Sequence, residues 1–347
     1  MPNYHDQTHA ANTLKLRENL KELPLFVRGY FGTMDDQTSS RTRLGYSYDL
    51  KIFFNFLSEE ILDGVPIKDI TVDQFKTIES EQIQAFMEYL TYYIPAGDPD
   101  TAHQNKSLGK SRKLAAVRGL FKHLYMTKKI SANPAELVAF PKINQKSITT
   151  LEVNEIAKLL DTVDSGENLT RHQKRYHERT KLRDAAIITL LLGTGIRVSE
   201  CVGLDITDID FDTNGIRVIR KGGDEMILYF GDEVQAALQT YLAEREKMPT
   251  QEGHENALFL SMQNRRLTDR AIQNLVKKYA GLITKLKKIS PHKLRSTFGT
   301  QLYAETGDIY LVANVLGHAD VNTTRKHYAK MDDNYRRRAA NAVRLRD

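Results

Sequence analysis

The sequence predicts a mainly α-helical protein with one small antiparallel β-sheet, arranged as two domains. Three observations predict it. Apolar residues recur at helical spacing between residues 25 and 134, and a stretch with no period follows at 139–148. The only strand-like runs lie between 208 and 230, where short β-branched segments are separated by Asn-Gly and Gly-Gly turns. A chain of 347 residues leaves room for two domains, and an apolar content of 41% is enough to pack their cores.

The first 24 residues are polar, which predicts a flexible N-terminal segment. From Tyr46 to Leu57 the apolar side chains of Ile52, Phe53, Phe56 and Leu57 fall at helical spacing. Ile83, Phe86, Met87 and Leu90 do the same between Gln82 and Tyr93. A third helix, Asn105 to Thr127, mixes Leu114, Val117, Leu120, Phe121 and Leu124 with a basic set that includes Lys106, Lys110, Arg112 and Lys113. Asn133-Pro134 stops the helical region. These elements predict an N-terminal helical domain over 25–138 and a linker over 139–148.

A second domain, 149–347, opens on Thr149 and Glu152, spaced as a capping box. Asp164 to Arg183 is polar and reads as a surface loop or a short exposed helix, with His172 and His177 in solvent. The strands are expected at 208–212, 216–220 and 225–230, with Lys221-Gly222-Gly223 turning the last hairpin. Helices return over Glu233–Lys247 and Thr268–Leu286, and from Pro291 onward.

Several function classes drop out. Gly109-Lys110-Ser111 has Gln104 where a phosphate-binding loop needs glycine. Asp210 to Gly215 opens like a calcium loop, but its twelfth position is the cation Lys221. His177-Glu178 lacks the second histidine of a zinc protease helix. No metal and no nucleotide cofactor is expected. Cys201, the single cysteine, sits in an apolar helical stretch and reads as a core thiol. The N-terminus does not read as a secretory signal and no long apolar run is present, so the expected location is the cytoplasm. The net charge of +6 favours a polyanionic partner.

Four short segments near the C-terminus narrow the chemistry. They are Thr194-Gly195-Ile196-Arg197-Val198-Ser199-Glu200, Lys221-Gly222-Gly223, His292-Lys293-Leu294-Arg295, and Leu316-Gly317-His318 followed ten residues later by Tyr328. Together they supply two guanidiniums, an ammonium, two imidazoles and a phenol. A phosphodiester under attack gathers negative charge on its non-bridging oxygens, and planar arginines match those oxygens two at a time. Each segment alone is ordinary: a helix-end arginine, a surface His-x-x-Arg, a hairpin lysine, a glycine C-cap, one of 16 tyrosines. Their joint occurrence in this order is not.

In this combination the chain resembles the tyrosine recombinase or phage integrase family, in particular its compact Xer-like members. The resemblance is specific over residues 150–330. It implies an N-terminal domain that clamps DNA and a C-terminal catalytic domain. It implies that Tyr328 attacks a DNA phosphate to give a 3′-phosphotyrosine and a free 5′-hydroxyl. Arg197 and Arg295 would clamp the scissile phosphate, and Lys221 would protonate the leaving oxygen. His292 would assist proton transfer, His318 would hydrogen-bond the phosphate, and Glu200 would support these groups. The His318–Tyr328 spacing is one residue longer than in many members; Tyr335 is the alternative nucleophile. Lys106, Lys110, Arg112 and Lys113 become candidate DNA phosphate contacts. The basic segment Tyr335–Arg346 would dock on a neighbouring subunit in a homotetramer on double-stranded DNA. Recombination between two sites is the expected reaction, for chromosome-dimer resolution or for a mobile element. Single-duplex relaxation of the topoisomerase IB kind, or DNA-binding regulation without chemistry, are the alternatives.

Overall fold

The structure, a computed structural model, describes residues 4–35, 37–94, 101–143, 149–220, 223–317 and 321. The chain divides into two compact units, Met1–Gln145 and Lys146–Asp347.

Helices dominate the described residues of the first unit, with an isolated antiparallel bridge between Tyr93 and His103. Its helices are α1 (Tyr4–Lys21), α2 (Val27–Thr33), α3 (Ser40–Phe56), α4 (Val72–Phe75), α5 (Ser80–Tyr89) and α6 (Ser107–Met126). The apolar stripes of α3, α5 and α6 meet in an aromatic core. Phe53, Phe54, Phe75, Phe86 and Phe121 are fully buried there, with Phe75 stacked on Phe121 at 4.6 Å between centroids. Helix α3 starts six residues before the predicted Tyr46, because Ser39 caps it by accepting from the Thr42 backbone N–H. Past α6, Pro134–Leu137 forms a single 3₁₀ turn, held by Arg118 donating to the carbonyls of Ala135, Glu136 and Val138.

The predicted flexible first 24 residues are instead mostly the helix α1. Leu16 is its one buried side chain, and much of its attachment is polar. Asn12 donates to Ser40 Oγ at 3.4 Å and Asn19 to Ser47 Oγ at 3.0 Å on α3. An element held this way carries almost no apolar period, so hydrophobic patterning does not reveal it.

The second unit contains α7 (Val153–Ser165), α8 (Arg171–Thr194), α9 (Val198–Gly203), β1 (Ile209–Asp210), β2 (Gly215–Ile219), β3 (Glu225–Tyr229), α10 (Asp232–Arg245), α11 (Asp269–Ile283), α12 (Pro291–Thr306) and α13 (Ile309–Leu316). The strands form an antiparallel sheet in the order β1-β2-β3, with Ile216 opposite Leu228 and Val218 opposite Met226. Ile216, Val218 and Leu228 bury the inner face. The apolar C-terminal half of α8, from Ala186 to Leu192, lies in the core, and α7, α10 and α12 pack on this helix.

Two further expectations are corrected here. Thr149 does not cap α7: Glu152 does, its N–H donating to Glu155 Oε2 at 2.8 Å. The polar stretch Asp164–Arg183 is neither loop nor short exposed helix over most of its length. It forms the end of α7 and the first half of the long α8, capped by Thr170 and Gln173. His172 is exposed, but His177 is buried with Nδ1 3.1 Å from the Tyr279 hydroxyl. Tyr279 in turn donates to the buried Asp184, which also accepts from Thr180, Arg183 and Lys278. His177, Thr180 and Asp184 fall on one helical face. That face is buried through hydrogen bonds rather than apolar contact, so the sequence read it as solvent-facing.

Cys201 is fully buried, and burial raises its thiol pKa. Among the described residues no helix is long and apolar enough to cross a membrane.

Candidate active site

The site is assembled around the C-terminus of α13. Helix α8 ends where Gly195 takes the left-handed conformation, φ +62°, and a Cβ there would lie 2.4 Å from the Phe298 ring. Thr194 Oγ1 accepts from the Ile196 N–H at 3.2 Å and fixes the turn. The reversal delivers Arg197 to the N-cap of α9.

Glu200, one turn into α9, holds Arg197 at two points. Its Oε2 accepts from the Arg197 backbone N–H at 2.9 Å, and its Oε1 accepts from Arg197 Nη1 at 2.7 Å. Glu200 is only 4% exposed, whereas a third of the Arg197 side chain reaches solvent. The carboxylate therefore fixes a guanidinium that remains accessible. Arg197 Nη2 donates to the Gly317 carbonyl at 2.9 Å.

Arg295 comes from the first turns of α12 and is buried. It donates to the Gly195 carbonyl at 2.5 Å, and its Nη2 donates to the Leu316 carbonyl. Arg295 thus ties the end of α8 to the end of α13. His292 lies one turn earlier on α12, which opens with Ser290 at the N-cap position and Pro291 at the first helical position, and is exposed. The predicted shared helix turn is present, with the imidazole at the surface and the guanidinium inside.

A third arginine joins them that the sequence reading did not single out. Arg220, at the end of β2, donates from Nη2 to the Val315 carbonyl at 3.0 Å. Three guanidiniums from three separate segments thus engage three successive carbonyls, Val315, Leu316 and Gly317. The last carbonyls of a helix have no intrahelical donor and carry the negative end of its dipole, so they are natural cation ligands. Burial lowers the proton affinity of Arg220; Glu200 opposes this and the charge of Arg197 adds to it. The only signal in sequence was its place directly before Lys221.

Lys221, His318, Tyr328 and the alternative nucleophile Tyr335 lie outside the described residues, as does the segment Tyr335–Arg346. The chain leads directly from Arg220 into Lys221, and from Gly317 into His318. Of the predicted set, the structure brings Arg197, Glu200 and Arg295 together and places His292 on the same helix as Arg295.

The four candidate DNA contacts in the first unit separate into exposed and buried groups. Lys106 is exposed at the N-cap of α6. Lys110 donates to Thr91 Oγ1 at 2.7 Å near the surface. Arg112 is exposed over half its side chain while pairing with Asp49 at 2.8 Å. Lys113 is not a surface cation: it is 5% exposed and donates to Asn105 Oδ1 at 3.0 Å, with Asp49 at 3.7 Å. Burial lowers its pKa and raises that of Asp49, and their mutual attraction only partly offsets this. Lys113 neutralises an internal carboxylate, and the expectation that it contacts DNA is withdrawn.

The family model described as the phage integrase family matches residues 149–335. The chain belongs to the phage integrase family. Its curated relatives include a tyrosine recombinase XerC of Caldanaerobacter subterraneus subsp. tengcongensis, 32% identical over 343 residues, covering 94% of this chain and 89% of that relative. A tyrosine recombinase XerC of Pelobacter propionicus is 31% identical over 290 residues, covering 83% and 84%. Among solved structures, XerH site-specific recombinase in a post-cleavage complex with a palindromic difH substrate matches with a TM-score of 0.64 at 22% identity, covering 87% of this chain and 80% of that chain. The Tn1549 transposon integrase in complex with circular intermediate DNA matches with a TM-score of 0.60 at 20% identity, covering 88% and 95%. The structural likenesses are of fold. With XerC relatives matched over most of both chains, this member of the phage integrase family is a tyrosine recombinase.

Proposed function

We propose that the chain is a site-specific DNA recombinase that cleaves and rejoins double-stranded DNA through a 3′-phosphotyrosine, without metal or ATP, as a homotetramer on two sites. The observation that carries this reading is the convergence of Arg197 and Arg295 on the carbonyls of Gly317 and Leu316, directly before His318. Two guanidiniums fixed beforehand, one of them partly open to solvent, suit the developing charge of a phosphodiester under attack.

In this reading Tyr328 is the nucleophile. A phenol with an ordinary pKa of about 10 attacks poorly unless cations favour its phenolate. Arg197 and Arg295 bind the non-bridging oxygens, His318 donates to one of them, and His292 assists proton movement. Lys221 protonates the 5′-oxygen as it leaves. Glu200 keeps Arg197 in place. The phosphotyrosine conserves the energy of the broken bond, so rejoining needs no nucleotide. Residues 25–138 serve as the core-DNA-binding domain, with Lys106, Lys110 and Arg112 as phosphate contacts, and 149–347 as the catalytic domain. The segment Tyr335–Arg346 links neighbouring subunits. The DNA complexes of XerH and of the Tn1549 integrase support DNA as the substrate.

The test is covalent trapping. Purified protein is incubated in chelator with nicked duplexes drawn from its own genomic neighbourhood, and denaturing gels are read for a protein–DNA adduct. The expected adduct maps to Tyr328 and disappears in Tyr328→Phe while DNA binding persists. Binding without an adduct on any duplex would overturn the enzyme reading in favour of a regulator.

A further inference from the structure

We infer that Arg220 is a positioning residue for the leaving-group acid, a clasp that holds the chain entering Lys221 at the C-terminus of α13. The inference rests on the recombinase reading above and adds to it a residue outside the six proposed catalytic groups.

Arg220 is restrained through both backbone and side chain. Its N–H donates to the Asp224 carbonyl at 2.8 Å, and its own carbonyl accepts from the Gly223 N–H at 3.0 Å. The hairpin between β2 and β3 is therefore closed at its base, with only Lys221 and Gly222 between Arg220 and Gly223 in the chain. The side chain then leaves the sheet and donates from Nη2 to the Val315 carbonyl at 3.0 Å.

Gly317 makes this seat possible. It adopts φ +59°, and a Cβ built there would fall 1.1 Å from Arg220 Nη1. The guanidinium occupies the space that any side chain at 317 would need. Two separate demands, a left-handed backbone and the volume taken by Arg220, thus fall on the residue before His318.

The contact is costly to keep, which argues against an incidental surface pairing. Arg220 Nε is buried and has no hydrogen-bond partner among the described residues. Burial is the first cause lowering the side chain's proton affinity, and Arg197 repels it as well. An arginine that only capped α13 could do so from solvent. Held as it is, it ties the segment entering Lys221 to the segment entering His318, two groups that must act on one phosphate.

The step it serves is the departure of the 5′-oxygen. The Tyr328 phenolate, its proton given up with help from His292, bonds to phosphorus; the P–O5′ bond breaks, and the 5′-oxygen keeps the electron pair and takes a proton from the Lys221 ammonium. If sulfur replaces that bridging oxygen, the leaving group is a thiolate. A thiol has a pKa of about 8.5, so it departs without a proton donor. A residue that acts by placing Lys221 becomes dispensable on such a substrate, whereas one that acts on overall structure does not.

The experiment compares single-turnover cleavage of ordinary and 5′-bridging-sulfur DNA by the full chain and by Arg220→Ala, Arg220→Lys, Lys221→Ala and Arg197→Ala. Arg220→Ala is expected to cleave ordinary DNA about 10²-fold more slowly and to recover to within about threefold on the sulfur substrate. Lys221→Ala should recover likewise and Arg197→Ala should not. Arg220→Lys, which keeps the charge without the planar fork, should fall between. Gly317→Asn tolerates the left-handed backbone but displaces the guanidinium, so it should copy Arg220→Ala and add little to it in the double variant. Full activity of Arg220→Ala, an equal loss on both substrates, or failure of sulfur to rescue Lys221→Ala would each overturn the inference while the recombinase reading stands. A parent protein that forms no adduct on either substrate would instead overturn the recombinase reading.

Discussion

Glu200 is the acidic side chain that holds Arg197 among the clustered guanidiniums, and replacing it tests the account of the site at its base. The carboxylate is 4% exposed, bonds the Arg197 N–H at 2.9 Å and pairs with Arg197 Nη1 at 2.7 Å. Losing the bond to the N-cap N–H costs about 1 kcal/mol, as other caps do. Losing the charged bond costs about 1.5–3 kcal/mol when both groups are buried. Arg197 is a third exposed, so water compensates part of this. Glu200→Ala should therefore destabilise the second unit by about 2–3 kcal/mol, which is about 4–12 °C in Tm for a domain of this size. Glu200→Gln keeps an acceptor for the N–H and should lose about half as much. Because Arg197 would then be misplaced, adduct formation on a nicked duplex should fall about 10²-fold in both variants. Thermal unfolding and single-turnover trapping on the same preparations read the two effects. A Glu200→Gln protein with unchanged Tm and unchanged cleavage would refute the claim that this carboxylate organises the guanidiniums.

In the first unit, Lys106→Ala should flatten the plot of log affinity for DNA against log salt by about 0.9, the signature of one lost phosphate contact. Lys113→Ala should leave that slope unchanged and cost about 2 kcal/mol in urea unfolding, because Asp49 stays buried with only Arg112 beside it. Asp184→Asn removes the charge on which Arg183, Lys278, Tyr279 and Thr180 converge, and should destabilise the second unit by about 3 kcal/mol or more in the same assay. Hydrogen bonding from Lys287 is the first cause holding the Glu155 carboxyl below its ordinary range. A depressed carboxyl contributes stability that is complete above its unfolded value, about 4.3, and is lost as pH falls through the folded one. Lys287→Met should reduce that acid-side loss, leaving the part due to the Glu152 N–H, an effect under about 1 kcal/mol for a partly exposed pair, read from urea midpoints between neutral and strongly acidic pH.

Much of the fold was legible because its signals are local. The stripes of α3, α5 and α6, the Asn-Gly turn before β2 and the glycine stops at 195 and 317 each depend on residues a few positions apart. Helix α1 and the first half of α8 escaped because both are held in part through hydrogen bonds from polar side chains. The amides of Asn12 and Asn19 meet hydroxyls on α3, and His177 meets Tyr279 from α11. A polar side chain reads as solvent-facing until its distant partner is known.

The same division runs through the site. Sequence alone determined the inventory behind the proposed chemistry, because residue types at fixed spacing point to the groups proposed to act on a phosphate: Arg197, Lys221, His292, Arg295, His318, Tyr328. Only the tertiary structure decided which donors are held, and by what. It buried Lys113 against Asp49, left Arg197 partly open above a buried Glu200, and added Arg220. The end of α13 decided the last of these. Its three terminal carbonyls lack partners within the helix, and the arginines that supply them lie 21 to 120 residues away along the chain. A pattern read over a few residues cannot see a hydrogen bond closed over that distance; packing can.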